Sequence, residues 1–242
     1  MVVKFTDRGY RCMPGPLQCA RGVAAEPGHE IHRVRFLTAR SLDAGFEKIR
    51  TWLHERHLPL TALCGCEFRI PDALAGRADD PAVAGHPFNR RYLQVLEQWG
   101  IVQDGFNPVA RSQVVPELSP PVEPAFYAFS YVEPSAGSRP TFVLAGSSEG
   151  AVYSAANEAL GDTVNQVMDE LEYRMRGLAM SWTDVTAAQI YSIHNTHTLV
   201  KRVFASRQIE IPGLKWNLCR SPLAGMEFEM DCRRVINEHV LV

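Results

Sequence analysis

Residues 107–114 read N-P-V-A-R-S-Q-V. A proline-containing loop runs into a β-branched segment (Val114, Val115), and Arg111 stands at the join. One arginine at a strand mouth is ordinary, because most arginines are solvated. More than a hundred residues later, W-N-L-C-R-S-P-L (216–223) places Arg220 just before M-E-F-E-M-D-C (226–232). Each arginine is followed by Ser, and each lies near the end of a similar half-chain.

Apolar spacing defines the elements around these two points. In S-L-D-A-G-F-E-K-I-R-T-W-L-H-E-R (41–56), Leu42, Phe46, Ile49 and Leu53 recur at helical intervals, with Ser41 in N-cap position. The preceding I-H-R-V-R-F-L-T (31–38) reads as a strand, as does L-C-G-C-E-F-R-I-P-D (63–72), which is bounded by proline. A second helix is predicted in P-F-N-R-R-Y-L-Q-V-L-E-Q-W-G (87–100), opened by Pro87 and closed by Gly100. The Arg111 strand and A-F-Y-A-F-S-Y-V (125–132) follow.

The second half repeats this order. T-F-V-L-A-G-S (141–147) is a strand, and Leu160, Val164, Val167, Leu171, Met175 and Leu178 mark a long amphipathic helix. V-T-A-A-Q-I-Y-S-I-H (185–194) is a strand, H-T-L-V-K-R-V-F (197–204) a short helix, and C-R-S with the acidic strand completes the unit. The spacing from Asp72 to Arg111 is 39 positions, and from Asn195 to Arg220 it is 25. The excess of 14 matches the Ala/Gly/Asp-rich residues 73–86, read as a surface-loop insertion. With V-E-P-S-A-G-S-R-P (132–140) as a linker, two units are expected, 1–137 and 138–242. Each is an α+β unit, a mixed sheet with two helices on one face, so the other face must pack on another such unit.

The bulk properties bound the function. With 46% hydrophobic and 21% charged residues in 242, the chain is an ordinary globular protein. A net charge of −2 gives no general attraction to nucleic acid. No stretch reaches membrane-spanning length and the first residues lack a signal-peptide core, so a cytoplasmic location is expected. The six cysteines form no C-x-x-C pair, and Cys64 and Cys66 read as small packed residues. His54 and His57 face solvent, and no metal site is expected.

F-R-I-P-D (68–72), F-N-R-R-Y (88–92) and N-P-V-A-R-S-Q-V (107–114), matched more loosely by C-R-S-P-L-A-G-M-E-F-E-M-D (219–231), resemble the Rid/YjgF family of enamine/imine deaminases. The resemblance covers nearly the whole chain as two copies. It implies a chorismate-mutase-like fold in each unit, assembly as trimers (here a homotrimer), and no cofactor. It also implies a small carboxylate-bearing substrate. Carried over by position, Arg111 is the carboxylate clamp, Asn89 the pocket asparagine, Arg220 the matching arginine of the second half, and Glu227 the acidic residue, with Glu229 beside it. The first half lacks the acid and the second lacks the asparagine, so a composite pocket is expected.

These residue types suit the chemistry. A guanidinium grips a carboxylate through two parallel hydrogen bonds, and a lysine cannot. Imine hydrolysis needs a positioned water and proton transfer, which a glutamate can serve. The expected activity is deamination of a 2-imino or enamine acid, including an aminomuconate-like dicarboxylate for which Arg90 and Arg91 offer further charge. The alternatives are a carboxylate-binding or assembly module without chemistry, and a chorismate-type hydrolase.

Overall fold

The computed structural model describes residues 2–15, 19–72, 85–137, 139–146, 160–222 and 226–242. The insertion expected at 73–86 lies mostly outside them. Four α-helices are described: α1 (Leu42–Glu55), α2 (Pro87–Gln98), α3 (Leu160–Gly177) and α4 (His197–Ser206). The periodicity located all four. Helix α1 buries Gly45, Phe46, Ile49 and Leu53; Ser41 occupies its N-cap position, but its side chain makes no capping bond. Helix α2 begins at Pro87 and is capped instead by His86, whose Nδ1 accepts from the Phe88 amide at 3.2 Å.

Thirteen strands are described. They are β1 (Val3–Phe5), β2 (Tyr10–Met13), β3 (Gly22–Ala25), β4 (His29–Ser41), β5 (Leu63–Arg69), β6 (Ala110–Pro116) and β7 (Ala125–Pro134). Then come β8 (Phe142–Leu144), β9 (Ala187–Tyr191), β10 (Gly213–Asn217), β11 (Cys219–Arg220), β12 (Glu229–Arg234) and β13 (Glu238–Leu241). They form two mixed sheets, ordered β1-β2-β3-β8-β12-β9-β10 and β11-β6-β5-β7-β4-β13.

Both sheets contain a four-strand stretch of one layout. In β6-β5-β7-β4, the parallel pair β5/β6 is joined through α2, and β7 runs antiparallel between β5 and β4. In β10-β9-β12-β8, the parallel pair β9/β10 is joined through α4, and β12 runs antiparallel between β9 and β8. The strand at the place of β6 is therefore β10. Arg220 lies beyond it on β11, which pairs antiparallel with β6 itself, Arg220 facing Val115.

Strands cross between the halves of the chain. The N-terminal strands β1–β3 join the sheet that holds β8, β9, β10 and β12, through β3 on β8. The C-terminal β13 runs parallel to β4 in the other sheet. These outer strands, with β10, were not foreseen, because they are short and lack a clean apolar alternation.

Helices α1 and α2 pack on one sheet around Phe46, Phe68, Tyr92 and Phe126, and α3 and α4 pack on the other around Phe142, Leu171, Ile190 and Phe228. Contact with the first sheet is close: a Cβ added to Gly45 would lie 2.2 Å from the Phe126 ring. The remaining faces of the two sheets meet each other. Gly146 donates its amide to Ser112 across this seam at 2.9 Å, and Gln189 reaches Glu67 at 3.4 Å. The seam is unusually polar, burying Arg33, Glu67, Arg69, Gln189, Asp231 and Arg233.

Candidate active site

Side chains alternate across a strand, so β6 serves two environments. Ser112 points into the seam. Arg111 and Gln113 point the other way, under α2, where Asn89 and Tyr92 descend from the helix one turn apart. Arg111 is 6% exposed and Asn89 4%. Nη2 of Arg111 donates to Oδ1 of Asn89 at 2.8 Å and to Oε1 of Gln113 at 2.5 Å. The guanidinium sits among three rings, with its carbon 5.0 Å from the centre of Tyr92, 5.2 Å from Phe88 and 5.7 Å from Phe68. Burial first, then the neighbouring Cys66, pushes the Tyr92 phenol well above its ordinary range, so it stays neutral.

The other arm of the guanidinium decides how this site is read. Nη1 of Arg111 is buried and has no hydrogen-bond partner. Among the described residues no carboxylate lies in ion-pair range of it. A buried cation costs several kcal/mol unless it is paired, and ring contacts return only about 0.5–2 kcal/mol each. Two neutral amides orient the group without neutralising it. The arrangement can accept one anionic oxygen at Nη1, on a guanidinium already fixed in direction.

The other expected residues lie elsewhere. Arg220 is partly exposed and pairs with Glu117 and, at 2.8 Å, with Asp72. The helix-facing positions of β10, where a second clamp is sought by layout, hold Leu214 and Trp216. Glu227 is exposed and pairs with His194 at 3.1 Å. Glu229 is 1% exposed on the seam face of β12, where its Oε1 leaves no room for a Cβ at Gly146. The structure thus brings Arg111 and Asn89 together, and sets Arg220, Glu227 and Glu229 apart from them. Arg90 bonds the Gly85 carbonyl, and Arg91 is held by Asp43 at 2.9 Å. All six cysteines are free and buried, and burial raises the Cys219 thiol, against a nucleophilic role.

The seam holds a second cluster of ionisable groups. Arg33 grips Glu67 through two bonds of 2.6 and 2.7 Å. Asp231 accepts from the Tyr191 hydroxyl at 2.7 Å and from Gln189 at 3.3 Å. Burial pushes Glu67 up, but the charge and hydrogen bonds of Arg33, helped by Arg233 and Arg69, win and hold it at about 2. Burial, then repulsion from Glu67, raises Asp231 to about 6 against the pull of Arg233. The cavity between them has room for about one water, so the seam is a bonded core and not a substrate cleft.

The sequence profile of the 2-aminomuconate deaminase CnbZ family matches residues 2–239. The chain belongs to this family. Consistent with that, it is 38% identical over 253 residues to the 2-amino-5-chloromuconate deaminase of Comamonas testosteroni, an alignment covering 99% of this chain and 98% of that one. The fold of this CnbZ-family chain is also similar to that of a chorismatase crystal structure. Their TM-score is 0.52 at 12% identity, over 88% of this chain and 77% of the other. The membership makes deamination the chemistry against which the Arg111 site is judged. No described helix of this CnbZ-family chain is long and apolar enough to cross a membrane.

Proposed function

We propose that the chain deaminates a 2-aminomuconate-class dicarboxylate by hydrolysis, with Arg111 holding the carboxylate next to the amino-bearing carbon. The unpartnered, buried Nη1 of Arg111 carries this reading. The substrate is an enamine conjugated to that carboxylate. Protonation at its β-carbon gives a 2-iminium; water adds to C2, forming a C–O bond and losing a proton. Proton transfer to nitrogen then lets the C–N bond break, so that ammonia leaves and a 2-oxo acid remains. Arg111 aligns C2 and withdraws electron density through the carboxylate it holds. Asn89 and Gln113 keep the guanidinium from turning.

We further propose that the two four-strand stretches are tandem units of the Rid/YjgF type, with Arg111 the clamp of the first. Glu227 is the proposed proton-handling group. It is exposed and stands apart from Arg111 in its own chain, so it completes an Arg111 site from a neighbouring copy in a homotrimer. A charge-assisted clamp is worth roughly 1.5–3 kcal/mol.

Ammonia release from 2-aminomuconate by wild type and Arg111→Ala tests the proposal. A rate above background in the wild type, lost in the variant, supports it. Background rates in both leave a carboxylate-binding module, which calorimetric binding of a muconate to the wild type alone identifies.

A further inference from the structure

Glu30 on β4 and Glu133 on β7 are direct cross-strand partners in the antiparallel β4/β7 pair. Like charges in that position repel and destabilise a sheet. Here they also converge. Nε2 of His32, two residues along the same face of β4, lies 3.0 Å from Oε1 of Glu30 and 2.9 Å from Oε1 of Glu133. These three donor atoms all lie within 4.8 Å of one another. A neutral imidazole nitrogen has one proton or one lone pair, so Nε2 alone cannot balance two carboxylates.

The surroundings hold His32 and Glu30 in place. The His32 side chain is 3% exposed and stacks on Tyr131 and His239. Its Nδ1 lies 3.3 Å from the Asn237 carboxamide, which can accept an Nδ1–H by turning its oxygen inward. Ser135 donates to the second oxygen of Glu30 at 2.6 Å. Fixed outer oxygens and an occupied distal ring nitrogen are what metal-binding carboxylates and histidines require. The Glu133 side chain, 29% exposed, leaves an approach from solvent.

We propose that Glu30, His32 and Glu133 form a binding site for a divalent cation of the zinc type. Bond lengths near 2.0–2.2 Å place neighbouring donors of a tetrahedral zinc about 3.4 Å apart, so the two glutamates need to move outward by about 0.4 Å. One nitrogen and two carboxylate oxygens favour zinc and its transition-metal neighbours over magnesium. The site lies on β4 and β7, two strands and more from Arg111 on β6, and is a structural clasp between the ends of the two longest strands. It is independent of the deaminase reading.

Titration of chelator-treated full-length protein with zinc chloride, followed by calorimetry, tests this. One zinc per chain is expected, undiminished by millimolar magnesium. Glu133→Gln and His32→Ala should each weaken binding more than about tenfold, and Asn237→Ala about 10–100-fold. Circular dichroism checks that each variant folds; where His32→Ala does not, the isosteric Glu30→Gln and Glu133→Gln decide. Failure of the wild type to bind zinc, or undiminished binding in both glutamine variants, overturns the proposal.

Discussion

Asn89 fixes one arm of Arg111 at 2.8 Å while the other arm of the same guanidinium stays buried without a partner. Replacing Asn89 with aspartate supplies the missing charge from within. Asn89→Asp should therefore raise the melting temperature and abolish productive substrate binding, because the guanidinium is neutralised before substrate arrives. Asn89→Ala should instead raise KM with a smaller effect on stability. Steady-state ammonia release and thermal unfolding of both variants check the pair of outcomes; tighter substrate binding by Asn89→Asp would exclude the clamp.

The seam gives stability a definite pH profile. Asp231 is raised, so its contribution is full below its ordinary 3.8 and is lost as the pH climbs through about 6. Glu67 is lowered, so its contribution is full above its ordinary 4.5 and is lost as the pH falls through about 2. From these two groups, stability rises as the pH drops from 7 towards about 4 to 5, then declines. Asp231→Asn removes the repulsion from Glu67 and keeps an acceptor for Tyr191. It should flatten the profile between pH 4 and 7 and stabilise the protein at pH 8, as read by urea unfolding across that range.

Gly45 sits where helix α1 meets Phe126. Alanine there gains about 1 kcal/mol of helix propensity. Its Cβ, however, would lie 2.2 Å from a ring wedged among Phe36, Phe46 and Phe68. Overpacking of that kind costs about 1–3 kcal/mol, so the clash prevails. Gly45→Ala should lower the melting temperature by a few degrees.

A site completed between copies can be rebuilt from two defective chains. Arg111→Ala and Glu227→Gln are each expected to be inactive. Mixed and reassembled, they should recover a fraction of wild-type turnover, because some sites then combine an intact arginine with an intact glutamate. Light scattering should report a trimer. No recovery from a mixture shown to exchange subunits would remove Glu227 from the site.

Much of this was legible in the residues. The helices were, since one buried stripe at helical spacing has few other readings; that Arg111 and Asn89 share a site was expected only from the resemblance of their motifs to the Rid/YjgF family, and the two side chains are in contact. Arg220 misled: it follows a similar short motif, but strand order places β10 where β6 stands, and the arginine falls on the next strand. The seam was hidden for a physical reason. Glu67, Arg69 and Asp231 alternate with apolar neighbours, and Arg33 and Arg233 lie among further polar residues, which in a sequence describes strands with one face in water. Only a second sheet packed on that face, with Gln189, Asp231 and Arg233 set against Arg33, Glu67 and Arg69, turns it inward. The Glu30–Glu133 pairing was equally invisible, since register joins residues a hundred positions apart.

The strands exchanged at the two termini reach furthest. Strands β1, β2 and β3 finish the sheet of the second half, and β13 finishes that of the first. Chain order thereby enforces a one-to-one match between the sheets that no flexible tether could. Severed between the halves, each fragment would keep strands belonging to the other and lack some of its own. The two would recover their structure only as a reconstituted pair, never as free-standing domains.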